Sequence, residues 1–361
     1  MKYWNTILKS MTEYIPGEQP EDIDEYIKLN TNENPFPPSG SALEAIKNAC
    51  NGTLRLYPSP ASDKLIKTFA TLHNLSHEQV FAANGSDELF TLFFRCFIDR
   101  NQKAAFSYPS YSLYYTMCEA NGITYDKITL NDDFSVRYDA FLQDDYALVI
   151  FCNPNNPTAT SIDRNGLIRF LDSFTGVVIV DEAYVDFSNN TVIDLVNRYD
   201  NLIVTRSFSK SYSLAGLRVG IAAAHPDLIR GLLRMKDSYN VDRLACVGAA
   251  AALTDTRQLE YNTRMVINNR DYLAENLTAL GFQNVPSSAN FIFTRHPKLP
   301  SETLYTELKQ RKILVRHFKG EIQSEYIRIS VGTMMEMKRL IKTIREIFSL
   351  HNIQLPDEQS V

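Results

Sequence analysis

Lys210 follows Ser207 and Ser209 and stands eight residues before Arg218. An amine set between hydroxyls and a fixed cation can carry an aldehyde cofactor that also bears an anion. The lysine forms the Schiff base, and Ser207, Ser209 and Arg218 supply much of a phosphate cradle, as pyridoxal phosphate (PLP) requires. Met alone, the run is also what a surface lysine after a Ser-rich turn looks like. Two upstream segments add to it. Val177-Val178-Ile179-Val180 stops at Asp181-Glu182-Ala183-Tyr184, and Ala147-Leu148-Val149-Ile150-Phe151 runs into Cys152-Asn153-Pro154-Asn155-Asn156-Pro157-Thr158. Asp181 could keep a pyridine nitrogen protonated, since a neighbouring negative charge stabilises the cation. Tyr184 and the amide of Asn156 could both reach a phenolic oxygen on the same ring. Asn156, Asp181 with Tyr184, and Lys210, each following an apolar strand, form a far more specific set together than any one does alone.

The elements that must position these groups are legible too. Both apolar runs are short buried strands, and a polar residue at the carboxyl end of such a strand is well placed to meet a ligand. Val80-Phe81-Ala82-Ala83 reads as another strand. A helix is expected over 87–98, with Leu89, Phe90, Phe93, Phe94 and Phe97 on its buried side. Asn84-Gly85-Ser86 then sits at a helix N-terminus, where free backbone N–H groups and the helix dipole favour an anion. Ordinary capping by Ser86, Asp87 and Glu88 is compatible with that role. No glycine-lysine loop of the nucleotide-hydrolase kind occurs.

With these residues in place the chain resembles the fold-type I PLP-dependent aminotransferases, and several stretches look like the histidinol-phosphate aminotransferases in particular. The resemblance covers nearly the whole chain. It includes Tyr14-Ile15-Pro16-Gly17, Leu29-Asn30-Thr31-Asn32-Glu33-Asn34-Pro35, Leu56-Tyr57-Pro58, Asn84-Gly85-Ser86-Asp87-Glu88, Pro109-Ser110-Tyr111 and Tyr326-Ile327-Arg328-Ile329-Ser330-Val331-Gly332-Thr333. It implies that Lys210 anchors the cofactor, Asp181 pairs with its ring nitrogen, Tyr184 and Asn156 hold its phenolic oxygen, and Tyr111 stacks on its face. Its phosphate would take the N–H groups of Gly85 and Ser86, the hydroxyls of Ser207 and Ser209, Arg218, and Tyr57 from the other subunit of a homodimer. Arg328 would bind the substrate's anion, assisted by Arg316, Tyr14 and Asn32; Arg316 in a plain surface salt bridge is the alternative.

The implied reaction is transamination of L-histidinol phosphate with 2-oxoglutarate in histidine biosynthesis, giving imidazole acetol phosphate and L-glutamate. Threonine-phosphate decarboxylase and aromatic amino acid aminotransferase are the neighbouring alternatives. A non-catalytic PLP-fold regulatory module is the alternative from another class, weakened by the presence of every catalytic group. Two positions depart from the family pattern: Ala159 stands where glycine is usual, and Ser238 where proline is usual. If residue 159 needs a positive φ, alanine there costs roughly 1 kcal/mol.

Composition is consistent with a large cytoplasmic enzyme. The 361 residues are 44% hydrophobic, and 37 basic against 42 acidic side chains leave a net charge of −5. Basic residues are dispersed, so neither a nucleic-acid surface nor a membrane partner is expected. The longest apolar run, residues 244–253, is too short to span a bilayer. Five cysteines without a C-x-x-C pair indicate neither a disulfide framework nor a metal site. Alternating strands and helices predict an α/β fold with a large, doubly wound domain and a smaller α+β domain; the resemblance implies that this is the PLP-dependent transferase fold type I, with a mostly parallel sheet in the large domain. The expected division is an N-terminal arm over 1–35 that joins the small domain, a large PLP-binding domain over 36–255, and the small domain over 256–361. Pieces expected in the last are strands over 290–293, 313–315 and 326–330 and helices over 303–311 and 334–349.

Overall fold

A computed structural model of the chain describes residues 2–12 and 14–354; positions 1, 13 and 355–361, which the expected division assigns to the arm and the small domain, lie outside the described residues. In chain order the strands are Ile27–Lys28 (β1), Val80–Ala83 (β2), Lys103–Tyr108 (β3), Thr124–Thr129 (β4), Tyr146–Cys152 (β5), Val177–Asp181 (β6), Leu202–Ser207 (β7), Gly220–Ala224 (β8), Gln283–Asn284 (β9), Phe291–Arg295 (β10), Ile313–Leu314 (β11), Arg316–His317 (β12) and Ile327–Ser330 (β13). β2 to β8 form one seven-stranded sheet in the order β2-β8-β7-β6-β5-β3-β4. Only β8 runs antiparallel to its neighbours; the ladders from β7 to β4 are parallel.

The central strands read as unbroken apolar runs because both faces of the sheet are covered. Side chains alternate across a strand, so Val149, Phe151, Val178, Val180 and Val204 pack in one core. Leu148, Ile150, Ile179 and Ile203 pack in the other, with Leu89, Phe90, Phe93 and Phe94 of the helix Gly85–Cys96. Removing each such side chain from water favours folding by roughly 1.5–3 kcal/mol. That helix starts two residues earlier than the periodicity predicts, because Gly85, at φ 78°, turns the chain directly out of β2. Gly85 and Ser86 therefore lie within its first turn. Phe97 is its C-cap residue and only partly buried, while Leu92 joins the core.

The smaller unit is a four-stranded antiparallel sheet, β12-β13-β10-β9, with helices Thr256–Ala279, Ser301–Gln310 and Met334–Leu350. The expected strand over 313–315 does not enter this sheet. As β11 it pairs in parallel with β1 of the arm, Ile27 opposite Ile313 and Lys28 opposite Leu314. That pairing supports our proposal that the arm belongs with the second unit and that the chain divides near residues 35 and 255. The long helix Thr256–Ala279 is absent from the sequence expectation because Asn262 and Asn269 sit on its buried face. Their amide NH2 groups donate to Pro37 O and Gly332 O, which anchors them but breaks the apolar stripe. Ala159 does adopt a positive φ, 65°, so the departure from glycine carries the anticipated strain. Among the described residues no helix is long and apolar enough to cross a membrane, and no cluster of His, Cys, Asp or Glu could hold a metal ion.

Candidate active site

Three parallel strands end side by side at the site. Cys152 of β5 lies opposite Asp181 of β6, which lies opposite Thr205 of β7. Asp181 is 4% exposed. Its carboxylate accepts from the Tyr114 hydroxyl at 2.6 Å, the Thr205 hydroxyl at 3.0 Å and the Ala183 N–H at 3.1 Å. Burial pushes its pKa up, against these three donors. A carboxylate so fixed awaits a cation. Three residues on, the Tyr184 hydroxyl accepts from the Asn32 amide at 3.1 Å, and its ring meets Phe291 edge-on.

At the end of β7 the Ser207 hydroxyl accepts from the Ser209 N–H at 3.2 Å. The Lys210 amine lies 5.6 Å from the centre of the Tyr184 ring and donates to Thr31 O at 3.1 Å. Burial, then the Arg328 and Arg218 cations, lower its pKa from 10.5 to about 8, with Glu33 acting in the opposite sense. Arg328 thus weighs more on the amine than Arg218 does. Arg218, in the left-handed region at φ 51°, lays its guanidinium over the first turn of the helix Gly85–Cys96. Glycine is needed at position 85 for φ, and a Cβ there, 2.7 Å from Arg218 Nη2, would also push that guanidinium aside. The same guanidinium donates to Asp87 at 2.9 Å.

On the opposite wall, β13 presents Arg328, 7% exposed. Its Nη1 donates to Asn156 Oδ1 and its Nη2 to Asn30 O, each at 2.7 Å, while its buried Nε has no acceptor. No carboxylate pairs with it among the described residues, and burial brings its pKa down to about 10. Because Asn156 gives its oxygen to Arg328, its amide NH2 is the end left to donate elsewhere. Arg316 lies opposite Arg328 across the ladder. Rather than a surface salt bridge, its fork holds Ile15 O at 2.9 Å and Pro16 O at 3.2 Å. Tyr14 meets Tyr111 edge-on at 6.1 Å.

One cavity of about 810 Å³ is lined by Tyr14, Asn32, Ser86, Tyr111, Asn156, Asp181, Tyr184, Ser207, Ser209, Lys210, Arg218, Arg316 and Arg328. Tyr57 is not brought to it. That ring is 78% exposed and stacks on Tyr239 at 4.4 Å. Asn32, expected beside the substrate, instead uses its side chain on Tyr184 and on the Ser330 hydroxyl. Sequence reasoning missed Tyr114 and Thr205, the two hydroxyls on Asp181. Tyr114 stands three residues after Tyr111 at the start of the helix Leu113–Asn121, and Thr205 alternates with Ser207 along β7, so spacing held a signal for both.

The donor set fits PLP. A helix N-terminus, two hydroxyls and Arg218 surround room for a phosphate. A triply hydrogen-bonded buried carboxylate suits a protonated ring nitrogen, Tyr184 with the free Asn156 amide suits a phenolic oxygen, and a lysine of lowered pKa suits an aldehyde.

Such an arrangement is what a group-transfer enzyme built on a lysine would need, and the chain belongs to the aminotransferase class I and II family, whose profile matches residues 24–344. More particularly, it is 43% identical over 347 residues to a histidinol-phosphate aminotransferase of Pseudomonas putida (strain W619), covering 95% of this chain and 99% of that one. It is 40% identical to one from Clostridium beijerinckii, covering 98% and 99%. The fold superposes, with a TM-score of 0.88 and 22% identity, on the histidinol-phosphate aminotransferase of Sinorhizobium meliloti solved in complex with pyridoxal-5'-phosphate, covering 96% of this chain and 99% of that one.

Proposed function

We propose that the chain is a PLP-dependent aminotransferase that moves the amino group of L-histidinol phosphate to 2-oxoglutarate, giving imidazole acetol phosphate and L-glutamate, a step of histidine biosynthesis. The observation that carries this reading is the pairing, in one cavity, of a lysine poised near neutrality with a buried arginine that lacks a carboxylate partner. The first suits proton transfer and the second an anionic substrate.

When bound, PLP supplies an electron-withdrawing ring that stabilises charge on the substrate carbon as it loses its proton. The protein's own groups do the rest. Asp181 holds a negative charge where the ring nitrogen must stay positive, while Tyr114 and Thr205 fix its oxygens. Tyr184 and Asn156 orient the ring through its phenolic oxygen. Lys210 Nζ, neutral in a large fraction of molecules just above pH 8, accepts the proton from the carbon bearing the substrate's amine and retains it as an ammonium for redelivery. Arg328 offers its fork to the substrate's phosphate or to a carboxylate of 2-oxoglutarate, and Arg316 adds charge at the more anionic phosphate end. A reducing, cytoplasmic location belongs to this reading and is supported by five free cysteines.

Turnover with 2-oxoglutarate should be strong for histidinol phosphate and weak for phenylalanine, and threonine phosphate should release no CO2. Equal reaction of histidinol and its phosphate ester would overturn the substrate assignment.

The reading includes a homodimer with shared sites. Tyr57 is exposed and outside its own chain's cavity, as a residue reaching a neighbour's phosphate would be. Mixing inactive Lys210→Ala with impaired Tyr57→Ala subunits should restore one intact site per heterodimer. No recovery after verified subunit exchange would place Tyr57 in its own chain's site.

A further inference from the structure

Beneath the site lies a group of buried and half-buried charges that the chemistry above does not use. Arg206, 9% exposed, precedes Ser207; Glu182, 1% exposed, follows Asp181; Asp186 stands two residues past Tyr184; Ser211 follows Lys210. Arg206 Nε lies 3.0 Å from Glu182 Oε2, off the axis of its N–H bond. Its Nη1 donates to Asp186 Oδ1 at 2.9 Å and its Nη2 to Thr191 Oγ1 at 3.0 Å. Glu182 is completed by the Val192 N–H at 2.6 Å and the Thr191 hydroxyl at 2.8 Å. The Ser211 hydroxyl donates to Asp186 Oδ2. Every member of the cluster except the Thr191–Val192 pair is thus within two residues of a group assigned to the cofactor.

Its location supplies the reason. The β6–β7 ladder ends at Asp181 opposite Thr205, with one further backbone bond from Glu182 N to Thr205 O at 3.0 Å. Beyond that point no backbone bond joins the segment carrying Tyr184 to the segment carrying Lys210, and Phe208 N continues only the β7–β8 ladder, to Val219 O. The ion cluster spans the gap where backbone pairing stops. Buried ion pairs contribute little to net stability compared with apolar packing of the same volume, yet they impose one geometry and are costly to break. We infer that Arg206, Glu182 and Asp186 form a positioning device that sets the spacing between Asp181–Tyr184 and Ser207–Lys210, with Ser211 tying the lysine's segment to it. The inference rests on the PLP reading.

The test uses the holoenzyme of Asp186→Asn, which keeps shape but not charge, and of Ser211→Ala, the milder change. Three quantities are measured: the rate of PLP loss on dialysis, followed by cofactor absorbance; kcat and KM; and Tm. A positioning role predicts roughly tenfold faster PLP loss for Asp186→Asn, a smaller effect of the same sign for Ser211→Ala, and a lower kcat in both. KM for histidinol phosphate should stay within about twofold, because Arg328 is held by Asn30 and Asn156 and not by the cluster. A fall in Tm with PLP retention and kcat unchanged overturns the inference and leaves the cluster a scaffold element. A rise in KM matching the loss in kcat overturns it as well. Borohydride fixation of wild-type protein on Lys210 is a separate control on the underlying reading.

Discussion

Lys210→Ala will hold PLP without a covalent bond and will lose transamination by at least roughly 10²–10⁴-fold, the contribution general acid-base catalysis makes alone. The cradle formed by the helix at Gly85, Ser207, Ser209 and Arg218 is untouched by the change, so binding survives while the proton acceptor is gone. Borohydride treatment of wild type followed by peptide mapping should mark Lys210, and a label on any other lysine defeats the assignment. A second readout needs no cofactor. With the amine's pKa lowered from 10.5 to about 8 in the fold, the folded protein binds fewer protons than the unfolded chain between those values. Folding stability therefore rises with pH across that window, and the full cost of the buried ammonium applies below about pH 8. Urea unfolding of cofactor-free Lys210→Ala should lack this rise. An identical pH slope in both proteins would show that the amine is not held as described.

Arg328→Ala should lower kcat/KM for both half-reactions by ten- to a hundredfold, since a charge-assisted hydrogen bond is worth roughly 1.5–3 kcal/mol. Two of the guanidinium's edges are held by Asn156 and Asn30, and burial without a carboxylate partner makes the site favour an anion from outside. Arg316→Ala should act differently. Its fork rests on the carbonyls of Ile15 and Pro16 in the arm, so the residue joins the second unit to the segment over the cavity. Loss of this second cation should damage turnover of histidinol phosphate more than that of 2-oxoglutarate. Parallel half-reaction kinetics with the two substrates decide the point: equal losses for Arg316→Ala would make it a structural tie of the arm and nothing more.

The groups at strand ends were readable because residue type and position coincide there. Asp181, Tyr184 and Lys210 each follow a run of apolar residues whose destination, a buried parallel strand, leaves little freedom for what comes next. The central strands and the helix after Gly85 were equally plain. What could not be read depends on partners distant in sequence. Asn32 carries no mark of binding Tyr184 and Ser330, since that contact spans about 150 and 300 residues and arises only when arm and sheet pack. The contact of Asn156 Oδ1 with Arg328, 172 residues away, is invisible for the same reason. β9 and β12, two residues each, are too short to show alternation, and the helix Thr256–Ala279 hides behind its buried asparagines.

The parallel pairing of β1 with β11 has a consequence for synthesis. Ile27 leaves the ribosome early, and its ladder partner Ile313 follows roughly 290 residues later. At about 5–20 residues per second the delay is roughly 15–60 s. During that interval the large sheet, whose strands all lie between Val80 and Ala224, has every pairing partner it needs, while Thr31 and Asn32 have no strand to be anchored on. Lys210 and Tyr184 are thus in place before the Thr31 carbonyl and the Asn32 amide that attend them, and a nascent chain can assemble its own residues around a phosphate well before it can enclose a substrate.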